Sequence, residues 1–414
     1  MFRKLITFDE AKQVISKQLK PQPLGTEELA LLEAHNRVLA EDIASILDIP
    51  PFNRSTVDGY AVKAEDTFSA EEKNPAKLTV RGIVNIGELP RISVAKGEAA
   101  EIVTGAPIPE GADAVVMVED TDRKNNLLDV FSAVTYSENV MKKGSDIKKG
   151  ETVLKKGHAL GSREIGVLAA LGKKTAKVYC VPRVAVLSTG AEVTEPGKKL
   201  PSGKIYDINA YSLSTAVLES GGKPVYLGVV PDDKTELQKA LERALACAEI
   251  VVTSGGVSVG PKDLMPQAVD ALGKPGIIVC GIALKPGKPT TAALIGEKPV
   301  FALPGHPTSA LLMFHLLVRP VIQMWAGKPA GEAAVVKAVA GARMFSARGR
   351  RTFVMVKLKR DKSKRVMAEP VETGASGAIT TLAKADGFVE IPENQQFIDV
   401  NEEVTVTLLS FSVN

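Results

Sequence analysis

The chain has 414 residues, room for two to four domains at roughly 150 residues each. Hydrophobic residues make up 45% and charged residues 24%, enough apolar material for a real core, while a net charge of +4 is too weak to argue for nucleic acid. The apolar run over residues 311–318 is too short to span a bilayer and is interrupted by His315. The first ten residues carry Asp9 and Glu10 where an export signal would need apolar side chains, so the expectation is a cytoplasmic protein with no membrane contact. Cys180, Cys247 and Cys280 are odd in number and sit in apolar contexts, which reads as buried thiols and not as a disulfide framework.

Residues 7–17 have helical spacing, with Thr7 and Glu10 placed as a capping box. Gly25 and Thr26 open what reads as a second helix through Leu29, Leu32 and Ala34, and beyond Ala40 the chain reads extended to Pro50-Pro51. Residues 1–51, joined by 140–178, are expected to form a helical and extended arm domain around a β-rich insert at 52–139. Within the insert, short strands are expected at 78–84, 99–103, 114–119 and 127–131. Two places in it carry possible chemistry. Asp58 stands beside Gly59 at a turn, and the Thr104 hydroxyl stands beside Gly105; on spacing alone each is equally a plain turn. Asp146 follows in Gly144-Ser145-Asp146-Ile147, before a helix at 163–171.

Residues 179–327 alternate strands with helices of about 10–15 residues, the pattern of a doubly wound parallel α/β sheet. In such a sheet ligands bind past the strand C-termini. Glu192, Asp232 and Asp263 each fall just after a predicted strand; any one of them reads as a helix cap, but the three together read as one edge of a site. Apolar runs at 250–253, 277–280 and 300–303, expected to be buried parallel strands, each end in a tight loop. The loops are Ser254-Gly255-Gly256-Val257-Ser258-Val259-Gly260, Lys285-Pro286-Gly287-Lys288-Pro289 and Pro304-Gly305-His306-Pro307. Glycines let backbone N–H groups approach an anion, lysines add charge, and the acids offer a metal its ligands, so the stretch reads as an oxyanion site.

Residues 328–332 form a Gly/Pro linker, and 328–414 alternate apolar and polar residues as a small β-barrel would. The basic run from Arg343 to Arg365 reads as a solvated hairpin. The functional option is that some of its arginines close over an anionic ligand, with the Gly374-Ala375-Ser376-Gly377 loop nearby. Few aromatics interleave these charges, which argues against RNA.

Six motifs stand in an order that resembles the MoeA, or molybdopterin molybdenumtransferase, family, which includes the C-terminal part of gephyrin. They are Ser55-Thr56-Val57-Asp58-Gly59-Tyr60-Ala61, Thr104-Gly105-Ala106-Pro107, Ser188-Thr189-Gly190-Ala191-Glu192, and the three loops just described, the last preceded by Leu303. The resemblance covers essentially the whole chain. It implies a multidomain α/β plus β protein with a central MogA-like domain, a β-rich inserted domain and a C-terminal β-barrel-like domain. It implies a homodimer working beside molybdopterin adenylyltransferase and other molybdenum-cofactor enzymes. The implied reaction takes adenylylated molybdopterin and molybdate to molybdenum cofactor and AMP, with Mg2+ or another divalent cation.

By position, the resemblance makes Glu192, Asp232 and Asp263 the acids around metal and nucleotide, and Lys285 and Lys288 the holders of molybdate or phosphate. Ser254, Gly255, Gly256 and Ser258 would contact substrate, with Pro304 and Pro307 shaping the pocket. Asp58 and Thr104 match positions that complete the cleft from the partner chain, Asp146 is a further matching acid, and Arg350 and Ser376 lie near positions facing molybdate or the dimer cleft. The chain departs from the family where the Ser376 loop is offset by about a residue, where Gly281 replaces a lysine of some members, and where His306 replaces a common asparagine. His306 reads as a hydrogen-bonding loop residue and not a metal ligand, since no second His or Cys lies near it in sequence. Three other readings stand beside this one: an adenylyltransferase of the MogA type, a tungstate-inserting paralogue, and a binding scaffold.

Overall fold

The structure, a computed structural model, describes residues 5–19, 22–257, 264–328, 334–371 and 379–409. The chain forms two compact units, one of residues 1–40, 157–162 and 175–414, the other of residues 41–156 and 163–174. Among the described residues no helix is long and apolar enough to cross a membrane.

The first unit opens with the helix Phe8–Gln18, started by the expected capping box: Glu10 N donates to Thr7 Oγ1 (3.2 Å) and Thr7 N donates to Glu10 Oε2 (2.7 Å). The second expected helix is instead a strand, Thr26–Ala30, paired antiparallel with Thr175–Tyr179. The apolar spacing there was misleading because Leu32 is 87% exposed and covers no core. A distant pairing partner overrides local helix propensity, and Arg37 ties the ribbon by donating to Glu27 Oε1 (2.5 Å) and to the Tyr179 carbonyl (2.6 Å).

The centre of this unit is a six-stranded sheet in the order Lys223–Val230, Arg183–Thr189, Ile250–Ser254, Lys298–Leu303, Thr291–Ile295, Pro275–Cys280. The first four strands are mutually parallel; the last two add on antiparallel ladders. Side chains alternate between faces along each strand. Val184 and Val186 pack with the helix Asn209–Ser220 and with Phe314 on one face, while Ala185 and Leu187 pack with Leu237, Leu241 and Met265 on the other. The sheet is doubly wound. The run at 277–280 differs from expectation: it is the edge strand, hydrogen-bonded antiparallel to Thr291–Ile295.

The C-terminal strands Arg351–Arg360, Val366–Pro370, Val335–Ala340, Glu403–Leu408 and Gly387–Ile391 pair in that order, and Gly387–Ile391 pairs again with Arg351–Arg360, closing a β-barrel. Val356, Ala368, Val389 and Val406 fill its core. The second unit holds a six-stranded, mostly antiparallel sheet that includes Ala76–Val84, Glu98–Ile102, Ala114–Met117 and Leu127–Val130, all four expected from the sequence, with Gly59–Val62 between Ala114–Met117 and Glu98–Ile102. The protein is thus a multidomain mixture of α/β and β structure. All three cysteines are free, but half-buried and not buried as expected, and burial pushes the Cys180 thiol up.

Candidate active site

Past the C-terminal ends of Arg183–Thr189, Lys223–Val230, Ile250–Ser254 and Lys298–Leu303 the loops enclose a cavity of about 250 Å³. Its lining includes Glu192, Asp232, Ser254, Gly255, Gly256 and Pro307, six of the positions singled out in the sequence. Gly255 and Gly256 have φ of +94° and +65°, and a Cβ at Gly255 would drive into the Thr189 carbonyl. Only glycine permits both the left-handed backbone and this close approach. Ser254 Oγ donates to the Pro304 carbonyl (3.2 Å) and accepts from Asn209 Nδ2 (2.7 Å), which also donates to the Gly305 carbonyl (2.7 Å). Three loops are stitched together by these bonds.

Among the other polar lining residues, Thr189 entered the sequence analysis only within a motif, and Asp207 and Asn209 not at all. Each carries a buried oxygen with no hydrogen-bond partner, namely Thr189 Oγ1, Asp207 Oδ2 and Asn209 Oδ1. An unmet buried polar group costs about 1–3 kcal/mol, so a concentration of them in one cavity marks a place built for something else to complete. Their sequence trace is slight, an Asp and an Asn just ahead of a helix, which reads only as a cap. Asp207 does serve as one: its Oδ1 accepts from Ala210 N (3.0 Å) and from Ser188 Oγ (2.9 Å). The cavity is acidic, with Glu192 and Asp232 exposed and Asp207 buried. The Tyr226 hydroxyl is held protonated well above its usual range, first by burial, then by the charges of Asp207 and Glu195, with a weaker contribution from hydrogen bonding to Asp207.

Lys285 and Lys288 are not among the lining residues. Their loop lies between the edge strand Pro275–Cys280 and Thr291–Ile295, whose Thr291 pairs with Ala302. Lys285 is exposed, and its backbone belongs to a short strand, Leu284–Lys285, that pairs with the barrel at Arg351–Thr352. Pro304 meets the site through its carbonyl, and Pro307 begins the helix Pro307–Met313 with His306 as the N-cap residue.

In the second unit, Thr104 N (2.6 Å) and Oγ1 (2.9 Å) both donate to Asp58 Oδ1. The backbone bond first, then the hydroxyl, hold this exposed carboxyl below its ordinary range. Asp146 is exposed on a turn whose backbone N donates to the Ile49 carbonyl (3.0 Å). Arg350 is half-buried, and its backbone N donates to the Ala347 carbonyl (3.0 Å). Much of the basic run is neutralised: Arg351 by Asp9, Glu390 and Glu393, Arg343 by Asp399, and Arg365 by Asp361. Ser258, Asp263 and Ser376 lie outside the described residues. Among the described residues no three His, Cys, Asp or Glu side chains cluster closely enough to hold a metal by themselves.

Residues 6–172 match the family profile described as the MoeA N-terminal region (domain I and II), 185–324 match a "Probable molybdopterin binding domain", and 337–409 match the MoeA C-terminal region (domain IV). A molybdenumtransferase of Nostoc, named for molybdopterin, is 34% identical over 93% of this chain and 89% of its own. The molybdopterin molybdenumtransferase of Haemophilus influenzae is 34% identical over 97% and 98%. The chain belongs to the molybdopterin molybdenumtransferase family. A molybdopterin biosynthesis MoeA protein of Pyrococcus horikoshii, 44% identical, superposes with a TM-score of 0.86 over 99% of this chain and 100% of that one. Another from the same organism, 34% identical, gives 0.81 over 98% and 100%. The molybdopterin molybdenumtransferase family is one of transferases, and the cavity lies wholly inside the stretch matching its molybdopterin-binding domain.

Proposed function

We propose that this protein inserts molybdate into adenylylated molybdopterin, releasing AMP and molybdenum cofactor. The observation that carries the reading is the cavity at the parallel strand ends, with its unmet polar atoms and two exposed carboxylates, inside a chain related over its full length to molybdopterin molybdenumtransferases. Glu192 and Asp232 are hard oxygen donors in a site that also takes phosphate, which suits Mg2+: this ion accepts one or two carboxylates and keeps waters and substrate oxygens for the rest. When bound it would neutralise the pyrophosphate charge. Glu192 and Asp232 would hold the cation, the Ser254–Gly256 turn would let substrate approach the backbone, and Pro304 and Pro307 would shape the wall.

Lys285 and Lys288 supply positive charge for the oxyanion. Ser258, Asp263, Asp146, Arg350 and Ser376 are carried in the same proposal by their match to family positions, as are Asp58 and Thr104. Action as a cytoplasmic homodimer, fed by a molybdopterin adenylyltransferase, belongs to it too. The test is AMP release from adenylylated molybdopterin on addition of molybdate and Mg2+, followed by chromatography. AMP release in step with molybdate supports the proposal, and its absence with all three present rejects it. Consumption of ATP with free molybdopterin would point to the adenylyltransferase reading instead.

A further inference from the structure

The cavity holds more buried hydrogen-bonding capacity than the protein uses. Asp207 is 4% exposed and spends Oδ1 on Ser188 and Ala210, leaving Oδ2 buried without a full hydrogen bond, with the Tyr226 hydroxyl beside the carboxylate. Both donations from Asn209 Nδ2, to Ser254 and Gly305, fix which way its amide faces, so the unpartnered Oδ1 is an acceptor. Thr189, 3% exposed, adds a hydroxyl without a partner. Capping the helix needs only Oδ1 of Asp207; the second oxygen is left for something else.

The chemistry of the set narrows what that something is. Two of the three atoms only accept, and one of them belongs to a carboxylate, so an anion is repelled here. The lining also includes the apolar Val193, Ile208 and Val257, which suit the faces of a flat ring better than a hydrated cation. A ring with adjacent N–H donors on one edge meets both requirements.

We propose that Asp207 and Asn209 read the N–H edge of a 2-amino-4-oxo-pyrimidine, the pterin ring of the substrate, and so set specificity for the heterocycle. The inference rests on the reading above that the substrate is a molybdopterin derivative. Asp207 Oδ2 takes a 2-amino hydrogen, Asn209 Oδ1 takes the ring N–H, and Thr189 answers as donor or acceptor. The buried end of the cavity therefore holds the heterocycle, and the exposed Glu192 and Asp232 are the carboxylates left for a cation.

The test compares pterin with lumazine, which carries an oxo group in place of the 2-amino group, by fluorescence titration of the full chain. The wild type should bind pterin at least ~10-fold more tightly, because lumazine leaves a buried carboxylate facing an oxygen. Asp207→Asn turns Oδ2 into a donor, and should bring the ratio close to one while lumazine affinity holds. A residue that only caps a helix would lower the melting temperature and leave the ratio alone. Equal wild-type affinity for the two probes overturns the proposal, and so does an Asp207→Asn protein that keeps the wild-type ratio. A flat ratio with a Mg2+-induced rise in melting temperature that Asp207→Asn abolishes would make the trio a cation site, again overturning it. The wild-type comparison stands if the variant fails to fold. Molybdate-dependent AMP release, measured in parallel, separates the two proposals: if it persists with a flat ratio, only the recognition of the ring fails.

Discussion

Glu192 and Asp232 are exposed carboxylates on loops, so replacing either should spare the fold and cost chemistry. Glu192→Gln is expected to lower the rate of molybdate insertion at least ~100-fold with the melting temperature within about 1–2 °C of wild type, read by AMP release and calorimetry. Asp58 presents a different residue-scale expectation. Thr104 depresses its carboxyl through two hydrogen bonds to the ionised form, so that contribution is present at neutral pH and fades as pH falls through the lowered value. Thr104→Val removes the hydroxyl bond, and an NMR titration should find the Asp58 carboxyl closer to an ordinary aspartate. Both pairs show what a sequence exposes and what it hides. Acids after strands are legible because strand ends announce themselves; Asp58 and Thr104 stand 46 residues apart, and spacing gave no reason to join them. Asp207 was hidden because its importance lies in one unsatisfied oxygen, which only packing reveals.

At the scale of elements, periodicity located the strands of the parallel sheet but did not determine who pairs with whom. The run at 277–280 has the composition of a central strand, yet two antiparallel ladders put it at the edge. Thr26–Ala30 was misread for the same reason: its partner strand lies far along the chain, Thr26 pairing with Tyr179 and Ala30 with Thr175. The turn after Ile250–Ser254 is more sharply constrained. Gly255→Ala should cost about 1–3 kcal/mol in chemical denaturation, since φ of +94° and the Thr189 carbonyl both oppose a Cβ. His315 gives a pH-dependent element. Burial, then Arg319, pushes its pKa down to about 4, so unfolding takes up a proton as pH drops below the ordinary histidine value. Stability should fall between about pH 6.5 and pH 4, by at most ~3 kcal/mol, and His315→Phe should flatten that slope in urea melts.

For the molecule as a whole, the ordered motifs carried the family because they span the chain, and the family in turn explains why an α/β sheet and a closed barrel occur together. One contact within the first unit ties distant parts of the chain: Arg351, on the barrel, bonds Asp9 on the first helix through both terminal nitrogens (2.9 and 2.7 Å) and Glu393 through Nε (3.0 Å). Its guanidinium is largely buried while the acids are half-exposed, so solvent screening limits its worth, and Arg351→Ala is expected to cost about 1–2 kcal/mol in a urea melt. The central claim is that a molybdenum insertion takes place at the acidic cavity of the α/β sheet. The most direct measurement counts molybdenum incorporated per AMP released, for the wild type and for Asp232→Asn, in the same reaction mixture. The account predicts close to one molybdenum per AMP for the wild type and a loss of both products together in the variant. AMP released without molybdenum uptake, or a variant as active as the wild type, would contradict it.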